Sequence, residues 1–274
     1  MDVGVALKWV DLRPEVDPLS GAVVHHPGGF GLSAEDSNAL ELALRTAEQW
    51  GARVVAATVG PPGAEAVLHT ALAAGAAAAI RVEDSEGGDV DSVVVAGELA
   101  RVLAGCDLVW CGTHSADRGS AVVPGWLAAE LGRAQALGVT SVEIGDPGQL
   151  TVERRLDRGR RERLAVRAPA VVSVEGGIAE LRRASLPALL AAYRVRIEIV
   201  PATLVGPSPV RLVRRRPFRP RTRVVAGPGG DHRDRILALT GALSERTPPR
   251  TVEADPDDAA EVLLEQLRAW GYLE

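Results

Sequence analysis

Over roughly the first 140 residues, short apolar, β-branched runs alternate with stretches whose apolar positions recur at helical spacing. Val3–Leu7, Arg53–Val59, Ala78–Val82 and Leu108–Cys111 have the continuous apolar character of strands covered on both faces. Between and after them, helices are predicted from Ser33 to about Gly51, over Glu65–Ala73 and Val94–Leu103, and from about Ser120 to Leu131. A chain patterned in this way is confined to an α/β fold, a parallel sheet with helices packed on its faces. In such open sheets ligands bind outside the carboxyl ends of the strands. The candidate site therefore comes from the loops after Leu7, Val59 and Cys111 and the turn before Ser33. Ser33 suits a helix N-cap, because its hydroxyl can accept a free N–H of the first turn, and Asp36 stands where a capping-box acid would.

The pattern changes after residue 138. Val139–Ile144, Gln149–Leu156, Glu162–Val166 and Ala170–Val174 follow one another as strands, with turns at Gly145–Gly148 and Asp157–Gly159, which predicts antiparallel additions to the sheet. A hairpin is expected around Ala22–His25, a short helix over Ser185–Tyr193 and a strand over Arg196–Val200. Six prolines between Pro201 and Pro228 favour an extended arm. Asp257–Trp270 closes the chain as an amphipathic helix. The division expected is an α/β domain over 1–200 and an arm with a terminal helix over 201–274.

Charge narrows the function classes. The 274 residues carry 31 Lys+Arg and 36 Asp+Glu, a net charge of −5. Lys8 is the only lysine; seven arginines fall between Arg154 and Arg167 and seven between Arg211 and Arg223. The acidic average and scarce aromatics argue against a nucleic-acid binder. The arginine blocks leave a charged protein surface open, and the proline-rich arm suits a segment that orders on a partner subunit. Cys106 and Cys111 match no zinc, CxxC or disulfide pattern, the five histidines are scattered, and no GxSxG occurs, so neither metal nor catalytic residues are expected. Without a signal peptide or a membrane-length apolar run, a cytoplasmic protein is expected.

Gly112–Val123, GTHSADRGSAVV, is the most informative loop. It follows a strand and opens a helix, where free N–H groups and the helix dipole favour an anion such as phosphate. Gly119 permits close backbone approach, and Ser120 suits a cap. The loop has no Walker lysine and no GxGxxG, so an ordinary βα connection is the competing reading. Gly28–Gly31 is read as a flexible turn.

Four segments in order resemble the beta-subunit family of electron transfer flavoproteins, which includes FixA. They are Val5–Val10, Asn38–Arg45, Val59–Pro62 with His69–Ala76, and Gly112–Gln135. Leu150–Arg154 through Pro169–Val174 and Arg182–Glu198 continue the likeness, which covers about residues 1–200 well. The resemblance implies an adenine-nucleotide hydrolase-like, Rossmann-like fold and a heterodimer with an alpha subunit that holds most of the redox FAD. It implies AMP, or a second FAD, in the beta subunit, and electron carriage between flavin-linked dehydrogenases and an acceptor oxidoreductase, with no catalytic residues of its own. The family's nucleotide contacts map onto Ala6, Ser33, Asp36, Val59, Gly112, Asp117, Arg118, Gly119, Ser120, Ala121, Val122 and Val123, and its partner-docking segment onto Leu186, Pro187 and Leu190. Ala121–Val123 replace polar residues usual in the family, Arg118 replaces an acid, and the lysine-rich docking helix is here Ala191–Arg196. A stand-alone nucleotide-binding module of the same fold is the alternative.

Overall fold

The structure is a computed structural model and describes residues 1–26, 28–84, 91–203, 231–240, 251 and 253–273. The chain divides into two compact units, Met1–Phe218 and Arg219–Glu274. In the second unit, α-helices are described over His232–Thr240 and Pro256–Ala269. The second of these matches the expected amphipathic helix, whereas residues 204–230, which hold the second arginine block, lie outside the described residues.

The first unit opens with β1 (Asp2–Ala6). Before α1 (Ala34–Trp50), four two-residue strands form two small antiparallel pairs. They are β2 (Val10–Asp11) with β5 (Phe30–Gly31), and β3 (Glu15–Val16) with β4 (Val23–Val24). The second pair is the hairpin expected near Ala22. Strand and helix then alternate through β6 (Arg53–Gly60), α2 (Glu65–Ala74), β7 (Ala78–Glu83), α3 (Ser92–Leu103), β8 (Leu108–Gly112) and α4 (Val123–Glu130). β9 (Ala134–Ile144), β10 (Gln149–Arg155), β11 (Arg161–Arg167), β12 (Ala170–Val174), α5 (Leu186–Ala192) and β13 (Glu198–Pro201) complete the unit.

One nine-stranded sheet runs β11-β10-β9-β12-β8-β1-β6-β7-β13. All its pairings are parallel except β9–β10 and β10–β11. The pleat sends alternate side chains to opposite faces. Val3, Val5, Leu108, Trp110 and Val172 pack with α1 residues Leu40, Ala43 and Leu44, while Ala6, Val109, Cys111 and Val171 pack with Leu99, Leu103 and Leu127 of α3 and α4.

Two expectations need correction. β12 is not an antiparallel addition, because it inserts parallel between β9 and β8. Its five residues are all buried, which is the position a continuous AVVSV run demands. The fourth helix starts at Val123 and not at Ser120. Gly119 and Ala121 have φ of 61° and 56°, which no right-handed helix includes. Pro124 sits in the first turn, where its missing N–H costs nothing. Among the described residues no helix is long and apolar enough to cross a membrane.

From β1 the chain moves outward through β6 and β7, then returns to β8 on the other side of β1. This reversal of strand order opens a crevice at the carboxyl ends of β1, β6 and β8.

Candidate functional site

The floor of the crevice is set by the start of α1. Ser33 is its N-cap, with the hydroxyl accepting the Asp36 N–H at 3.1 Å. Asp36 turns toward the strand ends, where its carboxylate accepts the Lys8 N–H at 2.8 Å and the Gly112 N–H. One side chain thereby ties α1 to the ends of β1 and β8. Gly112 is required beside it, since a Cβ there would lie 2.5 Å from Asp36 Oδ1 and 2.9 Å from Glu35 Cβ. Burial pushes the Asp36 carboxyl up to about 7, against the pull of the Lys8 and Gly112 N–H groups.

The wall opposite is the 113–122 loop, which is folded by its own hydrogen bonds. The Gly119 N–H reaches the Ser115 carbonyl at 2.9 Å and the Arg118 N–H the Asp117 Oδ1 at 2.9 Å. Across the crevice Lys8 Nζ meets the two Asp117 carboxylate oxygens at 2.7 and 2.6 Å and Ser115 Oγ at 3.4 Å. Burial works to raise the Asp117 carboxyl, but the hydrogen bonds from Lys8 and Ser115 outweigh it and hold the group below the usual carboxylate range. Ala121 is left-handed without being glycine, a conformation that costs about 1–2 kcal/mol. A third side is aromatic, with the Trp9 and Phe30 rings stacked at 4.0 Å. The His25 ring lies beside Phe30 and bonds the nearly buried Asp11 carboxylate at 2.8 Å.

Together these elements enclose a cavity of about 440 Å³, within the range of small-molecule sites. Of the residues singled out from sequence, Ala6, Asp36, Val59, Gly112, Asp117, Arg118, Ser120, Ala121, Val122 and Val123 line it. Ser33 supports it from below through the Asp36 N–H, and Gly119 shapes the loop at φ 61° without facing the cavity. Ser120 is a lining residue and not a helix cap. Sequence reasoning missed Lys8, Trp9, His25 and Phe30 as lining residues. The available signals were that Lys8 is the only lysine and that two of seven Trp+Phe residues fall within the strand-end connection.

His25, His26 and His114 face the carboxylates of Asp11, Glu15 and Glu35, and His69 bonds the Ala192 carbonyl, so none of these rings is set against a serine hydroxyl. Among the described residues no group of three or more His, Cys, Asp or Glu could hold a metal ion. Burial raises both cysteine thiols, Cys106 to about 11 and Cys111 further, so neither is a ready thiolate.

A second feature lies on the surface. α5 begins at Ser185, whose hydroxyl accepts the Ala188 N–H at 3.3 Å, and it presents Leu186 at 67% and Leu190 at 53% exposure, with Pro187 in the first turn. The irregular segment before it is pinned to α1. Asn38 Oδ1 accepts the Ala179 N–H at 2.8 Å, and the Arg182 guanidinium spans Glu41 and Glu48. His69, on α2, holds the far end through Ala192 and a stack on Tyr193 at 4.8 Å.

Comparison with known proteins matches residues 21–205 to the electron transfer flavoprotein domain. The chain is 31% identical over 198 residues to the electron transfer flavoprotein subunit beta of Thermoanaerobacterium thermosaccharolyticum, covering 70% of this chain and 75% of that one. It is 30% identical over 177 residues to the protein of the same name in Clostridium acetobutylicum, covering 63% and 68%. Over 199 residues it is 29% identical to the caffeyl-CoA reductase-Etf complex subunit CarD of Acetobacterium woodii, covering 71% and 75%.

Proposed function

The chain belongs to the electron transfer flavoprotein family, and on that premise we propose that it is the beta-type subunit of a heterodimeric electron carrier. The assembly shuttles electrons between flavin-linked dehydrogenases and an acceptor oxidoreductase, and this subunit contributes docking and geometry in place of bond-making catalysis. The observation that carries the reading is the cavity at the strand-order reversal, since the sheet topology and the family's nucleotide contacts point independently to the same loops.

The residues present fit a mononucleotide. The first turn of α4 supplies N–H groups that no helix satisfies internally, Lys8 and Arg118 supply positive charge, and the Trp9–Phe30 stack supplies a flat apolar wall. Ala121–Val123 contribute backbone N–H groups and no side-chain donors. AMP, or the adenylate part of a second FAD, is the occupant proposed here. The redox FAD, held mainly by the alpha subunit, supplies the electron carriage when bound.

Leu186, Pro187 and Leu190 form the docking point for the dehydrogenase. An exposed apolar anchor on a short, pinned helix suits a transient interface with few dominant contacts. Co-expression with an alpha-type subunit tests the role. A stoichiometric yellow complex is expected; a colourless chain that purifies alone and binds AMP by itself would point instead to a stand-alone nucleotide-binding module.

A further inference from the structure

Lys8 is the only lysine in the chain, and its placement is over-determined at one end and loose at the other. Its backbone N–H is fixed at 2.8 Å by the buried Asp36 carboxylate, so the base of the side chain cannot drift from the end of β1. Its ammonium crosses the crevice to Asp117 at 2.6 Å, in a pair whose side chains are 38% and 40% exposed. Water screens such a pair, and it holds weakly. Asp117 has other bonds to fall back on, because its Oδ1 also accepts the Arg118 N–H at 2.9 Å and Ser115 lies beside it. Both residues line the cavity.

We propose that Lys8 is the phosphate receptor of this pocket, and that an entering phosphomonoester takes the Lys8 ammonium from Asp117. The inference rests on reading the cavity as a nucleotide site and goes beyond it by assigning the charged contact. A phosphate dianion offers the ammonium more charge and more acceptor oxygens than a carboxylate. It also repels Asp117, so the exchange frees the 113–122 loop at that point. Ala121–Val123 offer a phosphate no side-chain donors, so the charged contact falls to the cations that line the cavity, Lys8 and Arg118. Of these, Lys8 stands at the end of β1, opposite the helix-terminal loop, with its ammonium already across the crevice.

Two variants of the chain, each in complex with its alpha-type subunit, separate the parts of this proposal. Each is compared with wild type by equilibrium dialysis against AMP and adenosine, and Lys8 acetylation is followed by peptide mass spectrometry. Lys8→Gln is expected to weaken AMP about tenfold, the loss of one charge-assisted contact, and to leave adenosine unchanged, which also reports an intact fold. Asp117→Asn keeps the loop's hydrogen bond to Arg118 N–H while removing the competing charge, and is expected to bind AMP several-fold more tightly. In wild type, AMP but not adenosine should slow acetylation of Lys8. Weaker AMP binding by Asp117→Asn, or an unchanged AMP-to-adenosine ratio in Lys8→Gln, overturns the proposal and leaves the nucleotide pocket standing. Failure of wild type to bind either compound overturns both.

Discussion

Asp36 carries more of the site than any other side chain, through acceptors that two strand ends need. Asp36→Ala strips the partners from the Lys8 and Gly112 N–H groups and is expected to cost roughly 2–4 kcal/mol in urea unfolding. Its titration gives a signed prediction. The carboxyl has an ordinary value of 3.8 when unfolded and about 7 when folded. Between those values the native state keeps a proton that the unfolded state has lost. Its contribution to stability is therefore complete below about pH 4 and drains away as pH rises through about 7. Asp36→Asn, which cannot ionise, is expected to flatten the stability profile over that window; a profile parallel to wild type contradicts the assignment. Ala121→Gly should relieve the left-handed strain and raise stability by about 1 kcal/mol, read as a higher denaturation midpoint. The spacing of Ser33 and Asp36 was legible as a helix start, and the cap is there. The direction of the Asp36 carboxylate was not, because its partners lie 28 and 76 residues away and local pattern carries no long-range geometry.

Helix α5 separates docking from stability. Leu186 is 67% exposed, so Leu186→Ala is expected to change unfolding by no more than about 0.5 kcal/mol while slowing electron transfer from the dehydrogenase. Equal losses in both would mean the leucine is structural. Arg182→Met should cost stability instead, because Glu41 is 96% buried and loses its main cation, an effect of about 1–3 kcal/mol. The helix itself was legible from Ser185 and its leucines, but the pins from Asn38, Glu41, Glu48 and His69 join elements far apart in sequence. The same limit explains β12. An all-apolar pentapeptide announces a central strand, yet its parallel direction follows from where β8 and β9 leave a gap. The first arginine block resolves into cross-strand pairs, with Arg161–Glu153 and Arg163–Glu143 on the outward face of an edge hairpin and Arg154–Glu162 on the face that carries Val152 and Leu164. Charges so placed guard an edge against stray pairing.

The nine-stranded sheet explains why most of the first unit was readable: its central strands β1, β6, β8 and β12 are covered on both faces, so composition and period alone mark them. The reversal at β1 opens the crevice in which the nucleotide is proposed to sit, and the family match over residues 21–205 falls on the same unit. The proline-rich stretch and the second arginine block lie outside the described residues, and their contact with a partner subunit stays a proposal. The most direct measurement is to co-purify the chain with its alpha-type subunit, denature the complex, and count the FAD and adenylate released. For a beta-type subunit the expected result is a stoichiometric pair of subunits that releases FAD together with AMP, or FAD in excess of one per pair. Recovery of the chain without an alpha-type partner and without flavin would contradict it.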